Sequence, residues 1–156
     1  MAGKAYSKIA VAVDGSGTSD LALYEAIRVA SGSGASVLAL YVVDNGVMLF
    51  DAGFYDPTQV QRAFVDSGTK ALEAAGRLLG NEGVAHETKL VDDPAVIGDV
   101  AGSINAAASE WGADLLVIGT HGRRGVRRLV LGSVAEAVIR QSTMPVLLVR
   151  GKEANA

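Results

Sequence analysis

Four short runs of branched apolar residues limit what this chain can become: residues 9–13, 37–43, 115–118 and 146–149. Each is too short to be read as a helix, and each is nearly continuous rather than alternating. A strand with one face in water alternates. A strand covered on both faces does not, and that is how parallel sheets enclosed by helices read. A fifth candidate, residues 84–91, is interrupted by His86, Thr88 and Lys89. It reads as a more exposed edge strand.

Helical signals lie between these runs. Residues 19–31 place Ala22, Ala26, Val29 and Ala30 on one stripe. Asp56-Pro57-Thr58-Gln59 supplies a cap residue, a proline at the first helical position and a glutamine at the third, so a long helix is expected to about Leu79. Asp93-Pro94 repeats the start signal, with Ile97, Val100, Ala101, Ile104 and Ala108 in helical period. Ser133-Val134-Ala135-Glu136 reads as a capping box with Ser133 as the cap. The order β-α-β-α-β-α-β-α-β implies an α/β fold: a doubly wound parallel sheet of five strands with helices on both faces.

The chain has 156 residues, which suits one domain over residues 1–156, core 8–150, at ~100–200 residues per domain. Apolar residues make up 49% and charged residues 20%, which excludes a disordered chain. No run approaches the ~18 apolar residues of a membrane span. The first residues show no apolar signal segment, so a cytoplasmic protein is expected. There is no cysteine, and the two histidines are His86 and His121. Thiolate chemistry is excluded and a multi-histidine metal centre disfavoured. The net charge of −3 hides an asymmetry: residues 119–156 hold 7 of the 14 basic side chains and 2 of the 17 acidic ones. An anion is therefore expected to be met late in the chain. Nucleic acid is disfavoured, because a nucleic-acid face needs aromatic platforms beside the basic groups and aromatics are only 5% here.

In open α/β sheets, ligands sit beyond the carboxyl ends of the strands, where the strand order reverses. Those ends carry Asp14-Gly15-Ser16, Val42-Val43-Asp44 and Gly119-Thr120-His121-Gly122. No Walker-type or dinucleotide-type glycine loop occurs. What does occur is Gly119-x2-Gly122-x9-Gly132-Ser133: a turn off a strand, then four arginines, then a helix start. Glycines let backbone amides approach an anion, and the amides of Ser133, Val134 and Ala135 would lie at a helix N-terminus, where phosphate is favoured. Asp14 has two readings, a contact to ribose or to a magnesium–phosphate unit, or an Asx turn opening the first helix. His121 is either a ligand contact or a polar loop residue. Arg123 and Arg124 are best placed for a ligand, while Arg127 and Arg128 suit solvent or a partner. Residues 46–55, with Met48, Leu49, Phe50 and Phe54, read as a loop tucked onto the core, and Trp111 as packing at the end of the third helix.

The segment 119–136, with residues 9–14, Ser16, 41–44, 93–95, 113–118 and 145–149, closely resembles the universal stress protein family, in the branch that binds ATP through G-x2-G-x9-G-[ST]. The resemblance spans essentially residues 8–150. It implies the strand order 3-2-1-4-5 and a homodimer. It implies that Ala12, Val13 and Asp14 line a nucleotide pocket, and that Val42 offers backbone bonds to adenine. Gly119 and Gly122 would lie near ribose and phosphates, with Ile118 and His121 alongside, while Gly132, Ser133 and Val134 take the phosphates. Position 135 is alanine, so no second hydroxyl follows Ser133.

The expectation is an ATP-binding stress-response switch with slow or no hydrolysis, joined as a homodimer through Val146–Val149 and acting on an unidentified protein partner. Magnesium would accompany the nucleotide at Asp14. Two alternatives remain open: an ATP-hydrolysing or adenylate-transferring enzyme on the same scaffold, and a dimeric interaction module with no nucleotide. The glycine motif argues against the last. The lack of lysine between Lys89 and Lys152 argues against Walker-type phosphotransfer. Backbone contacts do not count phosphates, so ATP, ADP and AMP are not separated.

Overall fold

A computed structural model of the chain describes residues 5–44, 56–93, 99–121 and 131–151. Strand β1 (Lys8–Ala12) leads through α1 (Gly17–Ser33) to β2 (Ser36–Val42). Then come α2 (Pro57–Asn81), β3 (His86–Val91), α3 (Val100–Trp111), β4 (Leu115–Gly119), α4 (Ser133–Gln141) and β5 (Val146–Val149). The five strands form one parallel sheet in the expected order β3-β2-β1-β4-β5. The chain winds outward from β1 to β3, then crosses back to lay β4 against the free side of β1. The order reverses there, between β1 and β4.

The two faces of the sheet separate residue by residue, because successive strand side chains point to opposite sides. Ile9, Val11, Val37 and Tyr41 pack with Ala22, Ala26, Leu72 and Leu79 of α1 and α2. Ala10, Leu38, Leu40 and Leu116 turn the other way, onto Ala101, Ile104 and Ala108 of α3 and Val138 of α4. Both faces are covered, which is why the runs do not alternate. In β3 the residues from His86 to Lys89 are exposed, as an edge strand requires.

Local chemistry sets the helix ends. The Ser16 hydroxyl oxygen caps α1 by accepting from Ser19 N at 3.2 Å, so α1 begins at Gly17, two residues before the sequence pattern suggests. Asp56 Oδ1 accepts from Thr58 N at 3.0 Å, ahead of a proline in the first turn of α2. Asp99 caps α3 through Gly102 N at 2.9 Å. The start signal at Pro94 and Ile97 lies outside the described residues. Gly68 lets α2 approach the sheet: a Cβ there would stand 2.6 Å from Leu90 Cδ1 and 2.7 Å from Tyr41 Cδ1.

At the amino ends of the strands, the Asp114 carboxylate accepts from Ser7 N and Lys8 N at 2.9 and 3.0 Å. Lys8 Nζ donates to Trp111 O at 2.7 Å and lies 4.6 Å from the centre of the Trp111 ring. Trp111 Nε1 donates to Glu87 Oε2 at 2.6 Å. This cluster closes the end of the sheet opposite the site. No helix among the described residues is long and apolar enough to cross a membrane.

Candidate functional site

Beyond the carboxyl ends of β1 and β4 lies a cavity of about 500 Å³. Its walls include four separate stretches expected from the sequence: Ala12, Val13 and Asp14 at and just after the end of β1, Val42 in β2, Ile118, Gly119 and His121 at the end of β4, and Gly132, Ser133 and Val134 at the start of α4. Ten residues singled out from the sequence thus border one space. Gly122, Arg123 and Arg124, also singled out, lie outside the described residues, as do Arg127, Arg128 and the loop with Met48, Leu49, Phe50 and Phe54.

Asp14 forms the Asx turn that was one of its two readings. Its Oδ1 accepts from Ser16 N at 2.8 Å, and its own N–H donates to Ser19 Oγ at 3.2 Å. Ser19 is buried and donates in turn to Ser16 O at 3.1 Å. Gly15 between them has φ +82°, a left-handed conformation that glycine adopts without strain. The turn holds the Asp14 carboxylate on the cavity wall.

The start of α4 corrects the expected capping box. The cap is Gly132, with extended backbone (φ −61°, ψ 156°), and Ser133 is the first helical residue. The Gly132 N–H donates to Thr120 O at 2.7 Å, and its carbonyl accepts the first helical bond, from Glu136 N at 3.0 Å. A tertiary bond to Thr120 thus fixes Gly132 in the cap position. No side chain caps this helix. The N–H groups of Ser133, Val134 and Ala135, which have no acceptor inside the helix, stand at the cavity wall. A Cβ on Gly132 would lie 3.0 Å from Thr120 O.

His121 presents the complementary feature. Its Nδ1 is 3.1 Å from Thr120 Oγ1. Its Nε2 is buried and has no hydrogen-bond partner among the described residues. A buried polar atom without a partner is penalised by about 1–3 kcal/mol until something satisfies it.

The apolar wall includes Leu40, Val42, Val100, Ile104 and Ile118. Val43 N donates to Val91 O on the β3 side at 2.9 Å. Strand alternation therefore turns the peptide edge of Val42 toward the β1 side, where β1 has ended at Ala12. Val100 and Ile104, one turn apart on α3, were visible in the sequence as helix-face residues but not as site residues. Thr120 and Ser19 were also missed, although the strand-end rule covers Thr120. Nothing local marks Phe64 of α2, which also lines the cavity.

The matching family model is the universal stress protein family, over residues 5–150. A universal stress protein of Methanocaldococcus jannaschii is 35% identical over 147 residues, 93% of this chain and 82% of that protein. A solved universal stress family protein from Burkholderia pseudomallei is 38% identical, with TM-score 0.77, covering 95% of this chain and 98% of that one. A universal stress protein solved in complex with cAMP is 26% identical, with TM-score 0.64, covering 94% of this chain and 98% of that one.

Proposed function

The chain belongs to the universal stress protein family, and on that premise we propose that its cavity binds an adenine nucleotide, ATP, as a regulatory switch in a stress response. The observation that carries this is the start of α4. Three successive backbone N–H groups, uncapped by any side chain, border the same cavity as the ring of His121, whose Nε2 lacks a partner. A helix start left open in this way favours an anion through its free amides and its dipole. Phosphate fits that donor set, and the missing Cβ at Gly132 lets the helix start sit close against the Thr120 carbonyl. The apolar wall suits a planar base, with the Val42 peptide edge as its hydrogen-bonding partner. Asp14 would face ribose or a magnesium–phosphate unit. The relative bound to cAMP supports an adenine ligand. The preference for ATP rests on the family motif through Gly122, Arg123 and Arg124. Magnesium would arrive with the phosphates, since no group of three or more metal-ligating side chains stands ready among the described residues.

The bound nucleotide supplies a transferable phosphoryl group, but the described residues bind it without preparing the transfer. Backbone amides hold phosphate alike in ground state and transition state, and uniform binding tightens affinity without raising the rate. The described partner of His121 is the Thr120 hydroxyl, which cannot stabilise an imidazolium as a carboxylate would. No lysine lines the described cavity, whereas phosphoryl transfer commonly uses one. Hydrolysis is therefore slow or absent. A cytoplasmic homodimer joined along β5, relaying nucleotide state to a protein partner, completes the reading.

The test begins with freshly purified protein, denatured and analysed for released nucleotide, then stripped protein titrated with ATP in a calorimeter. Gly132→Val should lower ATP affinity about tenfold or more, about 1.4 kcal/mol, with the far-UV spectrum unchanged. Absence of both released nucleotide and binding heat would favour the interaction-module alternative instead.

A further inference from the structure

The two histidines are held at the same ring nitrogen by different kinds of partner. His86 Nδ1 lies 2.8 Å from the carbonyl oxygen of Val84. A carbonyl only accepts, so neutral His86 carries its proton on Nδ1. His121 Nδ1 instead meets the hydroxyl of Thr120 at 3.1 Å, and a hydroxyl can donate or accept. Thr120 is one of two buried polar residues among those described, 7% exposed, and it borders the cavity. Its backbone is tied at both ends: its N–H donates to Val149 O at 2.9 Å and its carbonyl accepts from Gly132 N at 2.7 Å. The hydroxyl is thus mounted on a fixed backbone beside the ring whose Nε2 has no described partner.

We propose that Thr120 is a positioning residue of the nucleotide site. Its hydroxyl donates to His121 Nδ1, fixes the neutral imidazole as the Nε2–H tautomer, and presents Nε2 as a donor to the same anion that the start of α4 receives. This rests on the nucleotide reading of the cavity. The anion and its other donors select the direction of the bond. A phosphate oxygen that is not protonated only accepts, so it relieves a partnerless Nε2 only when that nitrogen bears the proton. The neighbouring amides of Ser133, Val134 and Ala135 are donors too, and an accepting Nε2 would oppose the anion they attract. The hydrogen bond at one imidazole nitrogen sets what the other can do.

Nitrogen-15 NMR of the imidazole rings at about pH 8, above the ordinary histidine range, reads the tautomer of each histidine directly. His86 serves as the internal Nδ1–H reference. Nucleotide-free wild type should show His121 as Nε2–H. Thr120→Val, which keeps the branched shape and both backbone bonds, should shift His121 to a tautomer mixture, and Thr120→Ser should preserve Nε2–H. In calorimetry, Thr120→Val should weaken ATP binding by about fivefold, the worth of one hydrogen bond, and Thr120→Ser should restore most of it. In a His121→Ala background, Thr120→Val should change affinity no further. An Nδ1–H tautomer in wild type, or a tautomer unmoved by Thr120→Val, overturns the proposal while ATP affinity stays intact. A wild type that does not bind ATP overturns the nucleotide reading, and the proposal with it.

Discussion

Thr18, in the first turn of α1, fills the space that two glycines leave. A Cβ on Gly119 would lie 2.6 Å from its Cγ2, and one on Gly151 would lie 2.6 Å from its Oγ1. Gly119→Ala should therefore lower stability by about 1–3 kcal/mol through overpacking, and adding Thr18→Ser, which removes Cγ2, should recover part of that loss in urea unfolding. Gly119 was legible in the sequence as a glycine at a strand end, and its approach to a ligand was the expected reason for it. The structure adds a second reason, a methyl group from a distant helix, which no local pattern contains. Ser133 teaches the same lesson. Its spacing to Glu136 is a sound capping signal, but the Thr120 carbonyl holds the Gly132 N–H, and a tertiary bond decides the cap. For Asp14, by contrast, the Asx turn stood among the two readings the sequence offered, because such a turn depends only on residues two apart.

Elements were more legible than single residues. Four of the five strands follow from their own apolar runs, since burial on both faces leaves a pattern that neighbours do not alter, and β3 follows from an interrupted run that marks an exposed edge. The two edges of the sheet differ in kind. On β3, exposed Glu87 and Lys89 guard the open backbone, with Lys89 Nζ 3.6 Å from Glu110 Oε2. On β5, Val146, Leu147 and Leu148 are half-buried, and Ile139 of the neighbouring α4 is exposed. Leu116 N donates to Pro145 O and Thr120 N to Val149 O. By alternation, residues 145, 147 and 149 face β4, and the peptides of Val146 and Leu148 face outward. Leu148→Pro thus removes an outward N–H while sparing the inner ladder. It should convert the proposed dimer to monomer in sedimentation at micromolar concentration, as should the charged variant Leu148→Lys. A dimer indifferent to both variants would place the interface elsewhere. The resemblance supplied the strand order; the alternation of outward peptides needed the register.

At the scale of the whole molecule, the site and the single tryptophan lie at opposite ends of the sheet. Trp111 emission therefore reports unfolding without touching the ligand. ATP at about 100 times its Kd should stabilise the fold by ~2.7 kcal/mol, and for a chain of this length that raises Tm by roughly 5–10 °C. Phosphate release with magnesium should stay far below the ~10 s⁻¹ median of enzymes. Fast release abolished by Asp14→Ala or His121→Ala would favour the enzyme alternative. The unlike edges also carry a geometric consequence. A sheet with one guarded border and one bare border offers a single seat for backbone pairing, and a two-fold mate uses that seat in both molecules at once. In the proposed dimer growth would then terminate itself: the particle would close at two copies, and raising its concentration would yield more pairs rather than filaments.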